Sequence, residues 1–212
     1  MAVLLSKLFY FVVLISQKYN IDESHGLRHS MDVLRFTNEI YESQLPANPW
    51  LQDQERVIYV SAIIHDMCDK KYMNEKEGLQ QIQEFLQDKL QDDEIASVKK
   101  IISTMSYSKV KKDGFPKLEN LDLAYHIVRE ADLLTAYDFE RCMVYNIRQQ
   151  SGDITTAFKN ANILFNNRVF KHGYDGLFIT DYSKDKSREL HEDALNRIAT
   201  WKNIISKSVF VL

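Results

Sequence analysis

Apolar side chains return along this chain at every third or fourth position and almost nowhere at every second. Ile82, Phe85, Leu86 and Leu90 form one such stripe, and Ile95, Val98, Ile101, Ile102 and Met105 form another. Leu123, Ile127, Ala131, Leu134 and Tyr137 follow, and Leu195, Ile198, Trp201 and Ile205 lie near the end. A repeat of about 3.6 residues places each set on one face of an α-helix. Turn signals separate the stripes: Pro46 to Pro49, Asp113-Gly114-Phe115-Pro116, and Gly173 to Gly176. Thr180 and Ser183 stand where a last helix needs an N-cap. The pattern predicts an all-α fold. With 6 glycines, 3 prolines, no linker and no internal repeat, it also predicts one domain over residues 1–212.

Residues 2–16 (AVLLSKLFYFVVLIS) are apolar on every side, but Lys7 interrupts them, and a membrane span needs about 20 apolar residues. A secretory leader would carry its charge ahead of the apolar run and small residues behind it, whereas Gln17, Lys18 and Tyr19 follow here. The segment is predicted to be a buried first helix, with no membrane as partner. Hydrophobic residues make up 45% and charged residues 27%, which excludes a disordered chain. Lys and Arg number 27 against 30 Asp and Glu, a net charge of −3 that argues against nucleic acid as a partner. Lys109, Lys111, Lys112 and Lys117 are a basic exception, read as a solvated loop or, alternatively, as a lid bringing Lys109 or Lys112 to a nucleotide. Cys68 and Cys142 cannot build a disulfide framework and point to a reducing, cytoplasmic setting.

Chemistry concentrates at four positions. His29 falls at the start of a second helix, and 36 residues later the apolar run Val57–Ile64 leads straight into His65-Asp66. After 66 more residues, Asp132 falls inside the largely apolar segment Ile127–Leu134. Polar groups in such places are costly to bury unless they are paired or hold a cation. Two imidazoles and two carboxylates suffice to hold one divalent ion and leave positions open for water or substrate. The mixed nitrogen and oxygen set accepts Mn, Co, Ni, Fe, Zn or Mg without choosing among them.

The order H…HD…D on an all-α chain resembles the HD superfamily of metal-dependent phosphohydrolases, in particular its small stand-alone members. His25-Gly26-Leu27-Arg28-His29-Ser30-Met31-Asp32-Val33 is similar to the family's entry helix, in which the second histidine is the ligand. Ile63-Ile64-His65-Asp66-Met67-Cys68-Asp69-Lys70-Lys71-Tyr72 resembles the form of the signature that continues with Asp and Lys. The segment from Ile102 to Phe115, with Met105-Ser106-Tyr107-Ser108-Lys109, resembles the stretch before the last ligand helix. Val128-Arg129-Glu130-Ala131-Asp132-Leu133-Leu134-Thr135-Ala136 is similar to the family's V-x-D-A-D-x-L-D-A box, with Glu130 and Thr135 where aspartates are usual. The resemblance covers roughly residues 8–205.

It implies one divalent ion on His29, His65, Asp66 and Asp132, since no histidine lies between His65 and His126 to build a second site. It implies hydrolysis of a nucleotide or another small phosphorylated metabolite, with a nucleoside-triphosphate pyrophosphatase as the leading form. A 5′-nucleotidase, a cyclic-nucleotide phosphodiesterase and a silent nucleotide-binding module are the alternatives. Lys71, and Lys70 beside it, are candidates for the outer phosphates. Asp69, three residues after Asp66, would share its helical face and orient water or a histidine. Glu130 would accept a hydrogen bond behind the ligands. His25, four before His29, would donate to phosphate or cap the helix. Against these stand plainer expectations: His126 a satisfied buried histidine, His172 and His191 surface residues, and Cys68 a buried inert thiol. Tyr72 and Tyr107 are among the aromatics able to stack on a base.

Overall fold

The computed structural model describes residues 2–149 and 152–207, and the described chain is all-α. Its helices are α1 (Ala2–Tyr19), α2 (Leu27–Gln44), α3 (Glu55–Ile64), α4 (Glu75–Leu86), α5 (Asp92–Thr104), α6 (Tyr107–Asp113), α7 (Asp122–Thr135), α8 (Phe139–Gln149), α9 (Ile154–Asn167) and α10 (Asp181–Ile205). Short 3-10 turns join some of them, and no strand occurs among the described residues. Helix starts fall where side chains can satisfy the first N–H groups. Asn74 accepts from the N–H groups of Lys76 and Glu77 to start α4. Ser106 accepts from Lys109 to start α6, and Asp153 from Thr155 and Thr156 to start α9. At α10 the cap is Thr180, whose Oγ1 accepts from the Ser183 N–H; Ser183 is inside the helix and is not a second cap. No helix of the described residues is long and apolar enough to cross a membrane.

The chain forms two compact units, Met1–Asp132 and Leu133–Leu212. In the first, α3 is the central element, packed against α1, α2 and α5. Val57, Ile58, Val60, Ala62, Ile63 and Ile64 are all buried, at about 1.5–3 kcal/mol for each fully buried valine or isoleucine. That burial fixes the helix whose last turn delivers His65. α1 contributes Leu8, Phe11, Val12 and Ile15 to the core, and Phe11 stacks on Phe85 at 4.3 Å. Its other side is open: Val3 is 72% exposed and Tyr10 63%. The expected buried helix is thus buried on one face only: α1 packs against α2 and α3 and meets α4 through Phe11 and Phe85, while Val3 and Tyr10 stay exposed. The basic segment beginning at Lys109 is not all loop. It forms α6, and Lys109 is paired with Glu75 of α4 and donates to the Ser103 carbonyl at 2.7 Å.

In the second unit α8 packs on α9, and α10 on both. Phe139 and Phe165 meet edge to face at 5.1 Å in its core. Glu140 accepts from both Arg197 (2.9 Å) and the Trp201 indole (3.1 Å), tying α8 to α10. The expected stripe on α10 is displaced. Ser183, Ser187 and Ala194 are its buried residues, and Leu195 is exposed. Small side chains let this helix lie close to its neighbours, and a hydrophobic pattern does not register them. His172 corrects a second expectation. It is fully buried, edge-on to Tyr137 and Phe178, because the turn after it returns Leu177 N–H to its carbonyl at 3.0 Å. His191 is half-buried and stacked on Phe170 at 4.2 Å.

Candidate metal centre

Three helices of the first unit converge on one point. His29 is in the first turns of α2, His65 caps the C-terminus of α3 with Asp66 following, and Asp132 is in α7. The Nε2 atoms of His29 and His65 are 3.1 Å apart. Asp66 Oδ2 lies 3.2 Å from the first and 3.3 Å from the second. Asp132 Oδ1 reaches them at 3.3 and 3.7 Å. Both imidazoles are buried, while Asp132 keeps 31% of its side chain open to solvent. The tightest group is His29, His65 and Asp66, whose ligand atoms lie within 4.8 Å of one another. The four positions that the sequence singles out are thereby brought together.

The donor set fits a divalent ion on two local observations. His65 Nδ1 stands 2.9 Å from the Ala62 carbonyl, which can only accept, so Nδ1 carries the proton and Nε2 presents its other face to the cluster. Asp66 Oδ2 is buried and touches both imidazoles without the alignment of a hydrogen bond. Ligands at about 2.1 Å from a common ion stand about 3.0 Å apart at right angles and about 3.4 Å apart in a tetrahedron, which brackets the contacts here except that of Asp132 with His65 at 3.7 Å. Electrostatics agree. Burial alone would raise both carboxyls, but His65 and His29 hold Asp66 and Asp132 well below the usual carboxylate range. Burial would lower His65, yet Asp66 and Asp132 outweigh it and push the imidazole up to about 9. The carboxylates thus stabilise positive charge at this point, which a divalent ion supplies in place of a proton.

A second network stands beside the first. The Asp22 carboxylate accepts from Ser24 N–H (2.9 Å), from the Ser24 hydroxyl and from Tyr72 OH (2.7 Å). Both hydroxyl protons are therefore committed to Asp22. His25 Nδ1, at 2.7 Å from Ser24 Oγ and 3.0 Å from Tyr72 Oη, is left as their donor. Burial opposes the Asp22 charge, but His25 at 3.9 Å and the bonds from Ser24 and Tyr72 hold its carboxyl far below the ordinary range. The His25 ring lies 6.0 Å from that of His29. Asp22 and Ser24 were not among the sequence candidates, and Tyr72 was one only for stacking. The signal was there in part: an aspartate two residues before a serine is a turn-forming pair.

His25 is in the turn before α2, whose cap is Gly26, so it neither shares a helical face with His29 nor caps the helix. α3 has ended before Asp69, so Asp69 does not share a helical face with Asp66; its carboxylate accepts from the Lys71 N–H at 2.9 Å. Lys70 and Lys71 are exposed on that loop, with Lys71 Nζ 5.1 Å from the Tyr72 ring. Lys112 is exposed on α6. Tyr107 opens α6, and Lys111 donates to its hydroxyl at 3.3 Å. Cys68 is buried, which pushes its thiol up to about 12 and makes it inert at neutral pH. Glu130 is fully buried against Arg129 (3.4 Å) and His126 (3.7 Å).

Burial, with Arg129 beside it, lowers His126 to about 4. Its folded value lies below its unfolded one of about 6.5, so the unfolded chain takes up the proton first as pH falls. The stability that neutral His126 contributes is complete above pH 6.5 and is lost as pH falls toward 4. We expect the melting temperature to fall across this window and the His126→Gln variant to flatten the slope. An unchanged slope in differential scanning calorimetry refutes this assignment.

No protein-family model matches the chain, and no curated protein matches it. Among solved structures, the crystal structure of a Lactobacillus plantarum protein, a Northeast Structural Genomics target, is similar over 97% of this chain and 98% of that one. The TM-score is 0.67 and the sequence identity 17%, so the likeness is one of fold.

Proposed function

We propose that this protein is a metal-dependent phosphohydrolase of the HD type, acting on a small phosphorylated metabolite. A nucleotide is the leading substrate class, and cleavage of a nucleoside triphosphate to monophosphate and pyrophosphate the leading reaction. The observation that carries this is the convergence of His29, His65, Asp66 and Asp132, with imidazole nitrogens and carboxylate oxygens 3.1–3.7 Å apart. The family resemblance of the same residues supports it. One divalent ion is the cofactor, drawn from Mn, Co, Ni, Fe, Zn and Mg.

Such an ion supplies Lewis acidity toward a phosphoryl oxygen and lowers the pKa of coordinated water. The chain's own residues do the rest. The bond from His65 Nδ1 to Ala62 fixes the ring, so no reorganisation is needed when a ligand arrives. His25, held by Ser24 and Tyr72 against Asp22, is positioned to hold or move a proton beside the cluster. Lys70 and Lys71 follow Asp66 by four and five positions on an exposed loop and are the candidates for a substrate's outer phosphates. Lys109 is less suited to that task, since it joins α6 to Glu75 and the Ser103 carbonyl. Two free cysteines accord with a cytoplasmic setting.

The test is turnover by the full chain, supplied with Mn²⁺ or Co²⁺, of a mixed nucleotide and phosphoester panel read by product mass. Pyrophosphate with a monophosphate is expected. Inorganic phosphate alone would instead indicate a 5′-nucleotidase. A panel left intact by protein that holds stoichiometric metal overturns the enzyme reading and leaves a binding module.

A further inference from the structure

The second unit holds a pocket that shares no residue with the metal centre. It has a volume of about 460 Å³, within the range of small-molecule sites. One wall is aromatic: Tyr137, Phe170, Tyr174 and Phe178 line it. The other is a single face of α10, where Lys184, Ser187, Arg188 and His191 follow at helical spacing. Phe170 is already stacked on His191, which makes a flat, fixed floor. Tyr174 is different. It is 94% exposed at the mouth, an aromatic ring with almost no packing of its own. It stands between Gly173 and Asp175, followed by Gly176 at φ +67°, a turn that only a residue without Cβ adopts without strain.

The two walls differ in what they recognise. Aromatic rings offer stacking to a planar group, and Lys184 and Arg188 offer charge and hydrogen bonds to an anion. Both cations now pair with neighbours on their own helix, Lys184 with Asp181 at 2.9 Å and Arg188 with Asp185 at 2.8 Å. These are exposed pairs, of the kind worth about 0–1 kcal/mol, so a phosphate dianion can displace them. We infer that this pocket is a ligand site for an aromatic phosphate of nucleoside-monophosphate size. The ring lies on the aromatic wall and the phosphate on Lys184 and Arg188. This inference does not depend on the hydrolase reading.

The experiment is calorimetric titration of AMP into the full chain carrying Asp66→Ala, so that the metal centre is disabled. One-to-one binding is expected, with adenosine and inorganic phosphate each at least about tenfold weaker because each engages one wall. Adding Lys184→Glu and Arg188→Glu together should weaken AMP by more than about tenfold at unchanged melting temperature, since both side chains are exposed. Tyr174→Ala should weaken AMP several-fold and leave phosphate alone. No binding up to millimolar AMP overturns the inference. So does AMP binding that the double charge reversal leaves within twofold, which would assign the nucleotide to another site.

Discussion

The Asp66→Ala variant is expected to bind no divalent ion and to lose phosphohydrolase turnover by about 10³-fold or more, some 4 kcal/mol of transition-state stabilisation. Asp66 is singled out by position rather than by type. Its Oδ2 lies within 3.3 Å of both imidazole nitrogens, whereas Asp132 Oδ1 is 3.7 Å from His65 and more open to water. Asp66 is also the largest single influence that raises the His65 pKa against its burial. Removing it leaves two buried imidazoles facing each other at 3.1 Å with little to favour a cation between them. Stability separates loss of metal from loss of fold. At 1,000 times its Kd, an ion that binds only the folded state raises stability by about 4 kcal/mol. Wild type should therefore melt at a higher temperature with Mn²⁺ than with chelator, and Asp66→Ala should melt at the same temperature in both. Metal per chain, measured by plasma mass spectrometry, should fall from one to zero. A variant that still holds one ion per chain would remove Asp66 from the ligand set.

The site was legible in the sequence where burial dictates it, and illegible where contacts come from afar. Val57–Ile64 is apolar but for Ser61, so a histidine and an aspartate at its end have to be explained by pairing or by a cation. The same logic applies to Asp132 within Ile127–Leu134. Asp22 meets Tyr72 across 50 positions, and Lys109 meets Glu75 across 34, and no periodicity carries such pairs. Elements were missed for a related reason. α9 buries Ala157, Ala161 and Phe165, and a seam built on alanine hardly marks a hydrophobic pattern. α1 shows the opposite failure. It is apolar on all sides, so its sequence cannot tell the face on α2 and α3 from the face left open. His172 reads as a loop residue beside glycines, and only the return of Leu177 to its carbonyl encloses it.

The centre also depends on a residue with no side chain. Gly78 is buried in the first turns of α4, against the loop that follows His65-Asp66. A Cβ there would come within 2.7 Å of both Cα and Cβ of Cys68 and 3.0 Å of Met73 Sδ. Helix propensity alone favours alanine over glycine by about 1 kcal/mol at an interior position. Overpacking of a tight interior costs about 1–3 kcal/mol, and the upper end applies where the obstruction is backbone that cannot rotate away. The steric effect wins, and Gly78→Ala should lose about 2 kcal/mol, or about 4–8 °C in melting temperature for a chain of this size. The damage should not be confined to stability. Cys68 is two residues after Asp66, so pushing it away moves a proposed ligand whose placement would tolerate only about 0.5 Å, and metal affinity should fall about tenfold or more. Cys68→Ala cannot rescue the variant, because the atoms in the way are Cα and Cβ, which alanine keeps. A Gly78→Ala protein that melts as wild type and binds Mn²⁺ with the same Kd would mean that α4 can draw back from the loop freely, and the close approach would then have no bearing on the metal centre.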